Sequence, residues 1–252
     1  MKINIHPLTI ILTLITFLCG RFNYFLIILT IILFHDLGHL CIMKLFKIKV
    51  SKLTILPFGS IIDSDLKYNE NTFKKILIAT AGVLFQIILY LIFIFLSKQG
   101  FITYLTYQIF LKYNKYIILF NLLPIIPLDG SQLLSYILET FLPFKLSIYL
   151  KCIISSICLI LLVLISNPSL DLLNIIILSF YKTYEELLNI KIIYYKFLLE
   201  RYLERPNFKK VKYVHNIDQI FKNRLNFIGN IKEITLLTKK FEKKQVNWVP
   251  LY

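Results

Sequence analysis

Two of the chain's four histidines stand four residues apart in His35-Asp36-Leu37-Gly38-His39. On a helix that separation puts both imidazoles on one face, within reach of a single ion. The stretch around them, 22–43, is otherwise apolar, and an ionisable group in such a run is a functional candidate by default. The plainer alternative is a hydrogen-bonded histidine pair facing a neighbouring helix. A second observation favours chemistry: Asp36 and Asp129 are the acidic residues that fall inside the chain's long apolar runs, and a buried carboxylate needs a partner. A metal held by His35, His39 and Asp129 neutralises one of them and leaves a fourth position for water, the open arrangement of a catalytic zinc site. Nitrogen and oxygen ligands suit Zn²⁺, with Fe²⁺ and Mn²⁺ as alternatives. Asp129 by itself also reads as a turn residue in Pro127-Leu128-Asp129-Gly130. Asn121 offers an amide that could hold an extended peptide backbone or pair with another helix.

The elements that must position these residues follow from composition. Of 252 residues, 57% are hydrophobic and 17% charged, at a mean hydropathy of +0.70, which excludes an ordinary soluble domain. Roughly 20 apolar residues cross a bilayer core as a helix. Six spans fit: 7–20, 22–43, 74–97, 103–126, 146–166 and 169–187, making an all-α polytopic membrane protein. The first resembles a secretory signal but has Phe17 and Leu18 where cleavage needs small residues, so it reads as a retained span. The fourth is interrupted by Lys112, Asn114 and Lys115, so either its membrane part starts near Tyr116 or the segment before it is an interfacial helix whose lysines snorkel. Pro124 and Pro127 preclude a regular helix before Asp129 and free that segment to turn its carboxylate toward the histidines. His35 lies roughly 20 Å along its helix from Phe22, nearer the cytosolic end.

Between spans two and three, β-branched residues flank Pro57-Phe58-Gly59, which predicts a small membrane-associated β-hairpin within about 48–66. After residue 190 the composition turns charged and aromatic, with an amphipathic stretch at 190–204 and then Pro206. The reading is a six-helix domain over 1–190 and a basic cytosolic tail over 191–252. The net charge of +15 is concentrated in the segment after span two and in the tail. By the positive-inside rule both face the cytosol, as do both termini. No RNA- or DNA-reading motif accompanies the charge, so nucleic acid is not an expected partner. Cys19, Cys41, Cys152 and Cys158 lie in apolar stretches without metal or disulfide spacing and read as small hydrophobes.

With these residues in view, the chain resembles the site-two-protease family of intramembrane zinc metalloproteases. The family's HExxH signature stands as His35-Asp36-Leu37-Gly38-His39, with Asp for Glu, and its NxxPxxxxDG signature is complete from Asn121 through Pro124 to Asp129-Gly130. His6-Pro7, Leu56-Pro57-Phe58-Gly59, Ala81-Gly82 and Phe197-Leu-Leu-Glu200-Arg201-Tyr202 are similar to the family's sporulation branch. The resemblance implies Zn²⁺ on His35, His39 and Asp129, Asp36 as the catalytic base, and substrate contacts at Asn121 and Pro124. It also implies a membrane-associated pro-sigma factor as the protein substrate, cut near the cytosolic face of the mother-cell membrane around the forespore. Membrane-bound regulators and self-association are implied as further partners besides the bilayer. Members of this branch carry a CBS nucleotide-sensing domain; residues 206–252 correspond at most to a truncated module of that kind, with Val211 to Phe221 as its first strand and helix.

Three functions compete. An active protease uses Asp36 as its base; a metal-binding pseudoprotease with HDxxH captures a substrate or regulator without cutting it. A metal-ion carrier would line a path with polar residues, of which spans one, three and five offer almost none.

Overall fold

The computed structural model describes residues 2–56, 59–165 and 170–242. The chain divides into two units, Met1–Leu66 with Phe73–Leu123, and Lys67–Thr72 with Pro124–Tyr252. The expected turn residues Pro57 and Phe58, and residues 167–168 between the expected fifth and sixth spans, lie outside the described residues.

In the first unit a strand β1 (Lys2–Ile5) precedes helix α1 (Pro7–Leu18). The entry to α1 is set locally: Pro7 takes the first helical position, where its missing N–H is harmless, and His6 Nδ1 accepts from Leu8 N at 3.2 Å. β1 lies parallel to β2 (Val50–Leu56), with Ile3 opposite Leu53, and β2 pairs antiparallel with β3 (Gly59–Ser64), with Leu53 opposite Ile62. The ladder continues through His6 N to Ile55 O at 3.0 Å, and Thr9 Oγ1 donates to the same carbonyl. The pairing of β1 with β2 has no forerunner in the sequence pattern, because four residues show no usable periodicity.

Helix α2 (Phe22–Leu45) carries the histidine pair and α3 (Thr72–Lys98) follows the sheet. α2 stops after Leu45, with Lys44 in its last turn, where a positive charge suits a helix C-terminus, and Lys47 reverses the chain at φ 58°. Helix α4 (Tyr104–Asn121) packs beside them through Ile27, Ile31, Leu89 and Phe110, with the rings of Phe93 and Phe110 stacked at 3.7 Å. α4 ends five residues before the expected end of the fourth span. Leu123 precedes a proline and is thereby steered out of the helical region.

The second unit holds α5 (Asp129–Phe141), α6 (Phe144–Ile165), α7 (Leu170–Glu204), strands β4 (Val211–Val214), β5 (Leu225–Ile228) and β6 (Ile231–Lys232), and α8 (Glu233–Glu242). β4 runs parallel to β5, and β6 antiparallel to it. Val211–Phe221 holds β4 and a single 3₁₀ turn at Ile217–Gln219. α7 is continuous for 35 residues, so the expected sixth span and the amphipathic stretch at 190–204 are one helix. No Gly or Pro falls between them to break it.

α2, α3 and α6 are long and apolar enough to cross a membrane. α1, at 12 residues, is about 18 Å long, short of a ~30 Å hydrocarbon core. The chain is therefore a mostly helical membrane protein with three candidate crossings among the described residues.

Phe197 of α7 stacks on Phe144 at 4.0 Å, and Tyr194, Ile220 and Leu237 close the same core. Beside it lie two buried ion pairs. Arg201 donates to Glu233 at 2.8 Å and to the carbonyls of Lys222 and Arg224 at 2.6 and 2.8 Å. Lys222 Nζ reaches Glu139 at 2.8 Å, with the two side chains 0% and 4% exposed. Burial pulls the Arg201 guanidinium below its ordinary range, and Glu233 opposes that shift. Removing one member of such a pair leaves its partner charged and dry, which costs about 3–5 kcal/mol. Lys222→Met is accordingly expected to lower the thermal unfolding midpoint in detergent markedly, whereas Lys212→Met, at an exposed position, is expected to leave it within the error of the measurement.

Candidate metal centre

The site is assembled by two helices that approach unusually closely. A Cβ added at Gly38 would lie 2.5 Å from the carbonyl oxygen of Ala81, and one added at Gly82 would lie 2.3–2.7 Å from three atoms of the His35 ring. Each helix thus supplies a glycine where the other presses in: α3 backbone against Gly38, the His35 imidazole against Gly82. A side chain at either position would separate the helices.

His35 and His39 are 6% and 7% exposed. His39 Nδ1 lies 2.7 Å from the carbonyl of Ile78, and His35 Nδ1 lies 3.1 Å from Oε1 of Gln86. The Nε2 atoms face each other at 3.0 Å. A backbone carbonyl only accepts, so His39 carries its hydrogen on Nδ1 and presents Nε2 as a lone pair. Ile78, Gly82 and Gln86 are spaced four residues apart, one row on α3, with Ile78 against His39 and Gly82 and Gln86 against His35.

One ligand atom from each of His35, Asp36 and His39 lies within 4.8 Å of the others, the candidate metal group among the described residues. Asp36 Oδ2 is sealed from solvent. The donor set fits a borderline metal such as zinc: two imidazole nitrogens with their other ring nitrogens hydrogen-bonded outward, and a carboxylate beside them.

The remaining sequence candidates fall as follows. Asn121 is the last residue of α4 in the first unit. Pro124 and Asp129 belong to the second unit. There Ile126 N donates to Ser155 Oγ at 2.9 Å, Leu128 N closes a turn to Ile125 O at 2.7 Å, and Asp129 opens α5, where a carboxylate suits the helix dipole. Gln86 and the Ile78 carbonyl escaped the sequence reading. A signal for Gln86 was available, since it is the lone carboxamide in the run 76–97; a backbone carbonyl leaves none.

Residues 23–102 match the model of peptidase family M50, and the match contains His35, His39, Gly82 and Gln86. This segment of the chain is thus similar to peptidase family M50. Over 145 residues it is 32% identical to stage IV sporulation protein FB of Bacillus subtilis (strain 168), covering 58% of this chain and 50% of that protein. It is 26% identical over 118 residues to a zinc metalloprotease of Methanocaldococcus jannaschii, covering 46% of this chain and 34% of that one. The chain thus aligns with half or less of the length of these curated relatives. The site-2 protease from Methanocaldococcus jannaschii has a similar fold, with a TM-score of 0.55 and 23% identity, over 73% of this chain and 89% of that chain.

Proposed function

We propose that the chain is an intramembrane metalloendopeptidase in which His35 and His39, through Nε2, and Asp129 hold Zn²⁺, and Asp36 is the catalytic base. The observation that carries this reading is the pair of Nε2 atoms turned toward each other at 3.0 Å while each Nδ1 is engaged elsewhere. When bound, the metal supplies Lewis acidity that polarises a scissile carbonyl and makes water more acidic. Asp36 accepts the proton of the attacking water on a carboxylate oxygen and returns it to the leaving amine as the peptide bond breaks. Its side chain is one methylene shorter than the glutamate of HExxH, about 1.5 Å of reach. Asn121 and Pro124 hold the substrate segment extended, and packing of α3 against α2 keeps bulk water from the imidazoles.

The substrate class in this proposal is a membrane-associated protein cut near the cytosolic face, specifically the pro-sequence of a sporulation sigma factor. Similarity to a stage IV sporulation protein supports it. The accompanying topology has six membrane helices within 1–190, both termini in the cytosol, a tail over 191–252 related to a CBS module, and a mother-cell membrane location with regulators in the same bilayer. Co-expression of the chain with a pro-sigma substrate tests the activity: a shortened product that disappears with His35→Ala supports it, and an unprocessed substrate with the wild-type chain contradicts it.

One observation favours a second reading. Asp36 stands where a peptidase of this type has glutamate, so a metal-binding pseudoprotease that retains its substrate uncut is the alternative. It predicts co-purification of intact substrate and no product, with cleavage appearing in Asp36→Glu.

A further inference from the structure

We infer that Gln86 is the positioning residue that keeps His35 in its metal-ready tautomer; the inference rests on the metal site proposed above. Gln86 is completely buried on α3, in a run where a carboxamide has no favourable apolar surroundings. Its Oε1 is 3.1 Å from His35 Nδ1, and its Nε2 is buried with no acceptor among the described residues. His35 is thus the one recorded hydrogen-bond partner of the Gln86 side chain among those residues.

The consequence follows from proton placement. His39 has its hydrogen on Nδ1, held by the Ile78 carbonyl, so its Nε2 can only accept. If His35 carries its hydrogen on Nε2, it donates across the 3.0 Å gap to His39, and no lone pair in that gap is left for an ion. If His35 carries it on Nδ1, both Nε2 lone pairs point into the gap and the site is open to a cation. An acceptor at Gln86 selects the second state. The carboxamide does so through Oε1; a carboxylate would do so more strongly, because it has no hydrogen to donate. Outer partners of metal-bound histidines typically change metal affinity by about 10–100-fold.

The test uses the full chain in detergent and Zn²⁺ alone, with affinity measured by competition against a chelator. Gln86→Leu has nearly the same volume, suits an apolar helix and cannot accept. It is expected to keep the unfolding midpoint of the metal-free protein and to bind Zn²⁺ about 10–100-fold more weakly. Gln86→Glu is expected to restore binding to wild-type strength or better. A leucine variant that binds as tightly as wild type overturns the inference. So does a glutamate variant as weak as the leucine one, since the residue would then act by packing. Failure of the underlying metal site looks different: wild type would bind no Zn²⁺, or His35→Ala would bind as well as wild type.

Discussion

Asp36→Asn is expected to reduce peptide cleavage by about 10²–10⁴-fold while leaving one metal per chain, and Asp36→Glu is expected to match or exceed the wild type. The asymmetry separates the carboxylate's proton chemistry from its shape. Asparagine is close to aspartate in volume and presents a similar oxygen, but it cannot take up a proton at neutral pH. Glutamate keeps the proton chemistry and extends the carboxylate by about 1.5 Å, toward the reach that the HExxH pattern provides. Displacements near 1 Å in a reacting group can change rates by ~10²-fold, so the sign of the glutamate effect is informative. The measurement is the rate of product formation from a membrane-anchored peptide at saturating Zn²⁺. Equal rates in wild type and Asp36→Asn would show that Asp36 is not the base.

Gly82→Ala is expected to weaken metal binding at least tenfold and to destabilise the protein, although the same change in most helix interiors stabilises by up to about 1 kcal/mol. The reversal is steric. The added methyl would sit 2.3–2.7 Å from Cε1, Nε2 and Nδ1 of His35, about 1 Å inside ordinary carbon contact distances of about 3.5–4.0 Å. Either the ring swings away from His39 and Gln86 or α2 and α3 part. Overpacking of this kind costs about 1–3 kcal/mol, which outweighs the propensity gain. Chelator competition and the thermal midpoint report the two effects separately. Wild-type affinity in Gly82→Ala would show that the close approach of Gly82 to His35 does not shape the site.

The His35-Asp36-His39 group was legible because ionisable residues in an apolar run are conspicuous. Any charge within 22–43 or 116–138 stands out against Ile and Leu, and the spacing of His35 and His39 translates directly into a shared helix face. The end of α4 was misplaced: the fourth span was expected to run to 126, although Pro124 disfavours the helical region at Leu123. What stayed hidden depends on tertiary contact. Ile78 contributes a carbonyl, which every residue has. Gly82 is one of seven glycines, and its value appears only when the ring of His35 is found against it. Gln86 differs from its neighbours in the run, yet nothing in one dimension says that it faces His35. The Phe197-to-Tyr202 stretch was noticed as a resemblance without a physical role. The structure supplies one: Phe197 stacks on Phe144, Glu200 accepts from the Asn69 backbone at 3.0 Å, and Arg201 grips Glu233 and the 222–224 carbonyls. Glu139 was unremarkable at the edge of its run until Lys222 was found beside it.

The most direct test of the central claim is cleavage of a reconstituted membrane-anchored substrate by the purified chain, followed through metal removal and return, with zinc content determined on the same samples. The expected result is one zinc per chain, loss of cleavage on chelation, recovery on adding Zn²⁺, and neither zinc nor cleavage in the His35→Ala/His39→Ala variant. Cleavage that persists in the metal-free chain, or one zinc per chain retained in the double variant, would contradict it.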